Sequence, residues 1–181
     1  MKNSLFRFRW NIPIIGCIHA QKGTKFVTLS NRLNISRSIL ASTLAKLIEQ
    51  GLLIRNPGYG HPLRPEYLLS REGSKFGPFC YELTSCIEQH SAGSVLQSRW
   101  ALRILYSCHQ PGIRFSGLKS KLAPITSRAL SQELKLLILE GYIDRQIIDH
   151  FPPTAIYSLT FKSTPFIEVI NKHLHILSPC L

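Results

Sequence analysis

Residues 9–69 of this 181-residue chain return at 99–159, so whatever the first stretch folds into, the second must be able to fold into as well. Arg9-Trp10 comes back as Arg99-Trp100. Ile35, Leu40, Leu44, Leu47, Ile48, Gly51, Arg55, Pro62, Tyr67 and Leu69 meet the same residues at Ile125, Leu130, Leu134, Leu137, Ile138, Gly141, Arg145, Pro152, Tyr157 and Leu159. Only around the first loop does the register slip by one, where Gly23, Phe26, Leu29 and Leu33 match Gly112, Phe115, Leu118 and Leu122. A period this long exceeds a stacked solenoid unit and points to duplication of a whole domain. Two domains are therefore expected, 1–90 and 91–181.

Within the second copy, Trp100, Ile104, Leu105 and Cys108 recur at helical spacing and predict a first helix ended by Pro111-Gly112. Ser116 is placed to cap a short second helix with Leu118 and Leu122 inward and Lys119 and Lys121 outward. Thr126 is placed to cap a third helix running to about Glu140, with Gly141 supplying the left-handed residue that stops it. Leu130, Leu134, Leu137 and Ile138 line one face of that helix, while Arg128, Ser131, Gln132 and Lys135 line the other. Strand-like runs at 142–148 and 155–160 then flank a His-Phe-Pro-Pro tip, which reads as a hairpin with a long loop. A further helix is expected after each copy, Lys75–Gln89 and Pro165–Leu177, and the polar stretch 89–94 reads as the join. The expected fold class is mainly α with small β-hairpins (α+β): two tandem winged helix-turn-helix domains, each followed by a C-terminal helix.

The net charge is +12, from 22 basic and 10 acidic residues, and both halves share the excess. Two basic domains suit a polyanion, because neutralising phosphates releases counterions and supplies sequence-independent affinity; the same charge can also serve solubility alone. Five cysteines without regular spacing suggest reduced thiols rather than a disulfide framework. Cys17-x-His19, Cys108-His109 and His173-x-His175 lack a second ligand half, so no metal or other cofactor is expected. Apolar runs are too short for a membrane span and the N-terminal stretch is a poor signal peptide, so a cytoplasmic location is expected. The motifs of phosphate loops, zinc proteases and nucleophile elbows are missing, and an enzyme is not expected.

In the second copy, Arg99-Trp100, Ile104-Leu105, Arg114-Phe115-Ser116-Gly117-Leu118, the run Ile125 to Leu134, and Pro152-Pro153 leading to Tyr157-Ser158-Leu159-Thr160 resemble the HxlR-type winged-helix transcription regulators. The first copy matches through the repeat. The resemblance implies a bacterial-type regulator that binds double-stranded DNA, normally as a homodimer of single winged helices joined by terminal helices. Carrying two copies, this chain departs from that plan. It suggests a covalent pseudo-dimer, with further dimerisation through the apolar terminal helices left open. The family's frequent redox-sensing cysteine precedes the first helix, and that stretch has no cysteine here.

On this reading the DNA-binding candidates of the second copy are Thr126, Ser127, Arg128, Ser131, Gln132 and Lys135 on the third helix, Lys119 and Lys121 on the second, and Arg145 and His150 on the wing. Those of the first copy are Arg37, Ser38, Ser42 and Lys46 on the helix and Arg55, His61 and Arg64 on the wing. The first copy's helix face, Ser38, Ala41, Ser42 and Ala45, has few long donors, so asymmetric recognition is expected: the second copy reads bases while the first anchors or docks a protein partner. The expected function is a sequence-specific regulator of transcription, acting as a repressor by family analogy. The rivals are a winged-helix protein-interaction module and a nonspecific nucleic-acid binder.

Overall fold

A computed structural model describes residues 5–56, 65–109, 112–148 and 153–177. Pro62, Pro111, Pro152, the tip residues His150 and Phe151, His61, Arg64 and Cys180 lie outside the described residues. The chain divides into two compact units, Met1–Cys86 together with His173–Cys180, and Ile87–Lys172. The expected division at 90/91 follows the repeat; the compact units differ from it in counting residues 87–90 with the second and His173–Cys180 with the first.

The first copy runs α1 (Asn11–Gln21), β1 (Thr24–Lys25), α2 (Phe26–Leu33), α3 (Arg37–Glu49), β2 (Leu53–Asn56), β3 (Glu66–Leu69) and α4 (Arg71–Gln89). After a short α5 (Gly93–Leu96), the second repeats that order as α6 (Ala101–Ser107), β4 (Ile113–Arg114), α7 (Phe115–Lys121), α8 (Ser127–Leu139), β5 (Ile143–Ile148) and β6 (Thr154–Leu159). A 3-10 turn (Phe161–Ser163) leads into α9 (Thr164–Lys172) and α10 (Leu174–Leu177). Three helices followed by a sheet wing, twice over, is the winged-helix plan.

The apolar pattern dictates the packing. Leu130, Leu134 and Leu137 of α8 are buried with Ile104 and Leu105 of α6 and Leu118 of α7, and Leu40, Leu44 and Leu47 of α3 take the matching positions in the first unit. Each such side chain contributes about 1.5–3 kcal/mol on leaving water. Tyr67 and Tyr157, on the returning strands, are buried against the same cores.

Each expected two-stranded hairpin is in fact the larger part of a three-stranded antiparallel sheet, ordered β1-β3-β2 in one copy and β4-β6-β5 in the other. The added strands are two residues long, too short to show any period in the sequence. They also move the start of the second helix. Arg114 pairs with Ile156 and stays extended, so α7 opens at Phe115 with Arg114 at its N-cap, and Ser116 lies inside the helix rather than capping it. The terminal helices shift as well. α4 starts at Arg71 because the Ser70 hydroxyl accepts from the Gly73 amide at 2.9 Å. The second terminal helix starts at Thr164 and is divided at His173, which is buried with its ring 5.8 Å from that of Phe79 and Nε2 3.2 Å from Glu82 Oε2.

The duplication extends to individual hydrogen bonds. The Ser70 hydroxyl donates to the Gly51 carbonyl at 2.6 Å, and Thr160, ninety residues on, donates to Gly141 at 2.6 Å. The two glycines follow the third helices of their copies, α3 and α8, in the left-handed region, at φ +71° and +74°.

Candidate nucleic-acid interface

α8 begins where the sequence predicts. The Thr126 backbone is extended, and its hydroxyl accepts from the Ala129 amide at 3.2 Å, satisfying one of the amides that a helix start leaves open. With Leu130, Leu134 and Leu137 inward, Arg128, Ser131, Gln132 and Lys135 form one exposed row at i, i+3, i+4 and i+7. None of the four side chains makes a hydrogen bond or ion pair among the described residues. Beyond Lys135 the exposed positions turn apolar, with Leu136 47% and Leu139 77% exposed, so the donors begin at the N-terminus of the helix and stop before its last turn. A recognition helix points its N-terminal residues at base edges.

Around this row, Thr126, Ser127, Lys119 and Lys121 are exposed, as is Arg145 on β5. Arg145 stands in register with Tyr157 and Ile113. The one acidic side chain of β5, Asp144, accepts from the Arg145 amide at 2.8 Å and from Gln146 Nε2 at 3.2 Å. Local donors thus hold the carboxylate.

Arg114 is a residue that sequence reasoning missed. It is exposed, sits at the N-cap of α7 on the strand beside the wing, and has no side-chain partner among the described residues. Its match, Lys25, is exposed at the N-cap of α2. The available signal was a basic residue directly before each of the matched Phe26 and Phe115.

The first copy offers a different surface. Arg37, Ser38, Ser42 and Arg55 are all exposed, but the two serines already bond locally, Ser42 donating to the Ile39 carbonyl at 3.0 Å and Ser38 sharing a 3.4 Å contact with Ser36. Lys46 is exposed too, yet its ammonium lies 4.4 Å from the centroid of the Phe8 ring, a cation–π pair. Val27, Ile39 and Ile54 are 58%, 47% and 52% exposed. Their matches in the second copy are Ser116, Ala129 and Asp144.

The described cysteines Cys17, Cys80, Cys86 and Cys108 are unbridged and buried. Burial pushes the Cys80 thiol up, and pushes Cys108 up to about 12 against the opposing pull of Lys121. Among the described residues, no group of three or more His, Cys, Asp or Glu could hold a metal, and no helix is long and apolar enough to cross a membrane.

A winged helix whose third helix carries an unengaged row of donors defines a helix-turn-helix protein of the DNA-binding, transcription-regulating class. Family comparison places it more narrowly. The HxlR-like helix-turn-helix pattern matches residues 5–93 and again 95–176, and the chain belongs to that family through both copies. Among its relatives, the uncharacterized HTH-type transcriptional regulator YvaP of Bacillus subtilis is 31% identical over 87 residues, 48% of this chain and 81% of YvaP. The HTH-type transcriptional regulator YodB of the same organism is 31% identical over 89 residues, 49% of this chain and 80% of YodB. The structure of reduced YodB aligns with a TM-score of 0.44 at 27% identity, over 49% of this chain and 86% of YodB.

Proposed function

We propose that this protein is a sequence-specific regulator that binds double-stranded DNA asymmetrically, the second copy reading bases and the first anchoring the chain. The observation that carries the reading is the exposed, unengaged row Arg128, Ser131, Gln132 and Lys135 on α8. Arg128 suits guanine edges and Gln132 suits adenine, while Ser131, Lys135, Thr126, Ser127, Lys119, Lys121, Arg114 and Arg145 suit phosphates. In the first copy Arg37, Lys25 and Arg55 supply charge without long base-reading partners beside them. The duplication stands in for the family's homodimer, each half of the repeat (1–90 and 91–181) acting as one DNA-contacting domain, and occupancy of a promoter represses transcription.

The test is binding to a duplex selected from genomic fragments and to its scrambled form. Arg128→Ala is expected to remove about 1–3 kcal/mol of preference for the selected duplex, roughly 5- to 150-fold. Arg37→Ala is expected to weaken both duplexes alike. Equal loss of preference from both substitutions overturns the asymmetry.

A second reading has its own support. The exposed Val27, Ile39 and Ile54 replace small or polar residues of the second copy, which favours a protein partner for the first copy. Loss of a partner's binding with Ile39→Lys, at unchanged DNA affinity, is the outcome that reading requires.

A further inference from the structure

The segment leading into the first helix of each copy reaches across to the recognition helix of the same copy. In the second copy the Ser98 hydroxyl donates to Glu133 Oε2 at 2.7 Å. The Ser98 hydroxyl oxygen also accepts from the Trp100 and Ala101 amides at 3.3 and 3.2 Å, so one atom holds the start of α6 and ties it to α8. The repeat puts Phe8 at the place of Ser98 and Thr43 at the place of Glu133, which removes this bond from the first copy. There the tie is made by Phe8 itself, whose ring takes the Lys46 ammonium of α3 at 4.4 Å. Two unrelated chemistries thus connect the same pair of segments.

Glu133 does not belong to the row that faces outward. At about 100° per residue it lies roughly 150° from the mean direction of Arg128, Ser131, Gln132 and Lys135, on the side of Leu130 and Leu137. It is half-buried, as is Ser98. A carboxylate so placed neither repels phosphates on the reading face nor is free to turn towards them. What it can do is fix α8 in rotation and in distance from α6. A helix that reads base edges is sensitive to both, because a bidentate contact tolerates little displacement.

We propose that Ser98 and Glu133 are positioning residues for base readout, forming a strut that sets how α8 is presented to DNA. The proposal rests on the DNA-binding reading above and adds to it the device that gives the reading its accuracy. It predicts a loss of discrimination rather than of general affinity, since phosphate contacts from flexible lysines and arginines survive a small rotation.

The test uses the full chain, the selected and scrambled duplexes, and amide hydrogen exchange of the free protein. Ser98→Ala and Glu133→Ala are each expected to lower the selected-to-scrambled affinity ratio roughly five- to tenfold, as expected for loss of a charge-assisted hydrogen bond, with scrambled binding unchanged within about twofold. The double variant is expected to do no worse than the more severe single one, because both remove the same bond. Ser98→Thr, which keeps cap and donor, and Glu133→Gln, which keeps an acceptor, are expected to retain most of the ratio. Faster exchange of amides in 127–139 is expected in the alanine variants alone. Additive losses, an unchanged ratio, or tighter binding of both duplexes by Glu133→Gln overturns the strut. If the unsubstituted protein prefers no duplex, the DNA reading itself falls; hydrogen exchange then decides, and unchanged exchange in α8 overturns the tie as well.

Discussion

Cys108 illustrates how a residue's surroundings remove a chemistry its type would allow. Its side chain is 1% exposed, and burial raises the thiol to about 12 against an ordinary 9.0. At pH 7.5 the buried thiol is held in its protonated form, and the thiolate is the reactive form. Iodoacetamide at that pH is therefore expected to leave Cys108 unmodified in the native protein and to label it in denaturant, as read by peptide mass. Stability follows with a definite sign. The unfolded chain releases this proton near 9.0 and the folded one near 12, so the contribution is intact below about 9 and is lost as the pH rises towards 12. At the same scale, the role proposed for Arg128 in recognition depends on its having no partner among the described residues. Lys46, chosen from the sequence on equal grounds, has one in Phe8.

Elements that match in sequence solve their junctions differently. Where the chain leaves the wing, Ser163 is fully buried and its hydroxyl donates to the Tyr142 carbonyl at 2.6 Å. Ninety residues earlier stands Gly73, and a Cβ there would collide with the Leu52 carbonyl. The first copy has closed this junction tightly enough to exclude a side chain. Gly73→Ala is accordingly expected to destabilise the first unit by about 1–3 kcal/mol through overpacking against rigid backbone. By contrast, Gly51→Ala, with open space at its Cβ, is expected to cost about 1 kcal/mol from its left-handed φ alone. Thermal unfolding of both variants checks the ranking, and a larger loss at Gly51 contradicts it. The wings carry the same lesson. A two-residue strand has no period to detect, yet it fixes where α7 begins and puts Arg114 at the edge of the candidate interface.

For the whole molecule, charge and duplication act together. With a net +12 spread over two domains, binding to any duplex is expected to weaken steeply with salt, each neutralised phosphate adding about 0.9 to the steepness of the logarithmic slope. Lys135→Ala is expected to reduce that slope by about one on selected and scrambled duplexes alike. A slope that Lys135→Ala leaves unchanged removes this side chain from the phosphate-binding set. The terminal segments bear on assembly. Phe79, Leu83 and Ile87 of α4 and Phe166, Ile170 and Leu177 near the C-terminus are buried, and His173 meets Phe79 and Glu82 in the first unit.

Taken alone, the amino-acid order determined the duplication, the three-helix-and-wing plan, the inward leucines of α3 and α8, the Thr126 cap and the glycines that end both of those helices. These are local or periodic properties: a cap needs one hydroxyl three residues from an amide, and a buried face needs apolar residues at helical spacing. Tertiary structure decided the rest. The third strand of each sheet, the division of the second terminal helix at His173, the engagement of Lys46 by Phe8 and the Ser98–Glu133 bond all join residues distant in sequence or too few to form a pattern. Their partners become neighbours only once the helices have packed, and no local spacing encodes them.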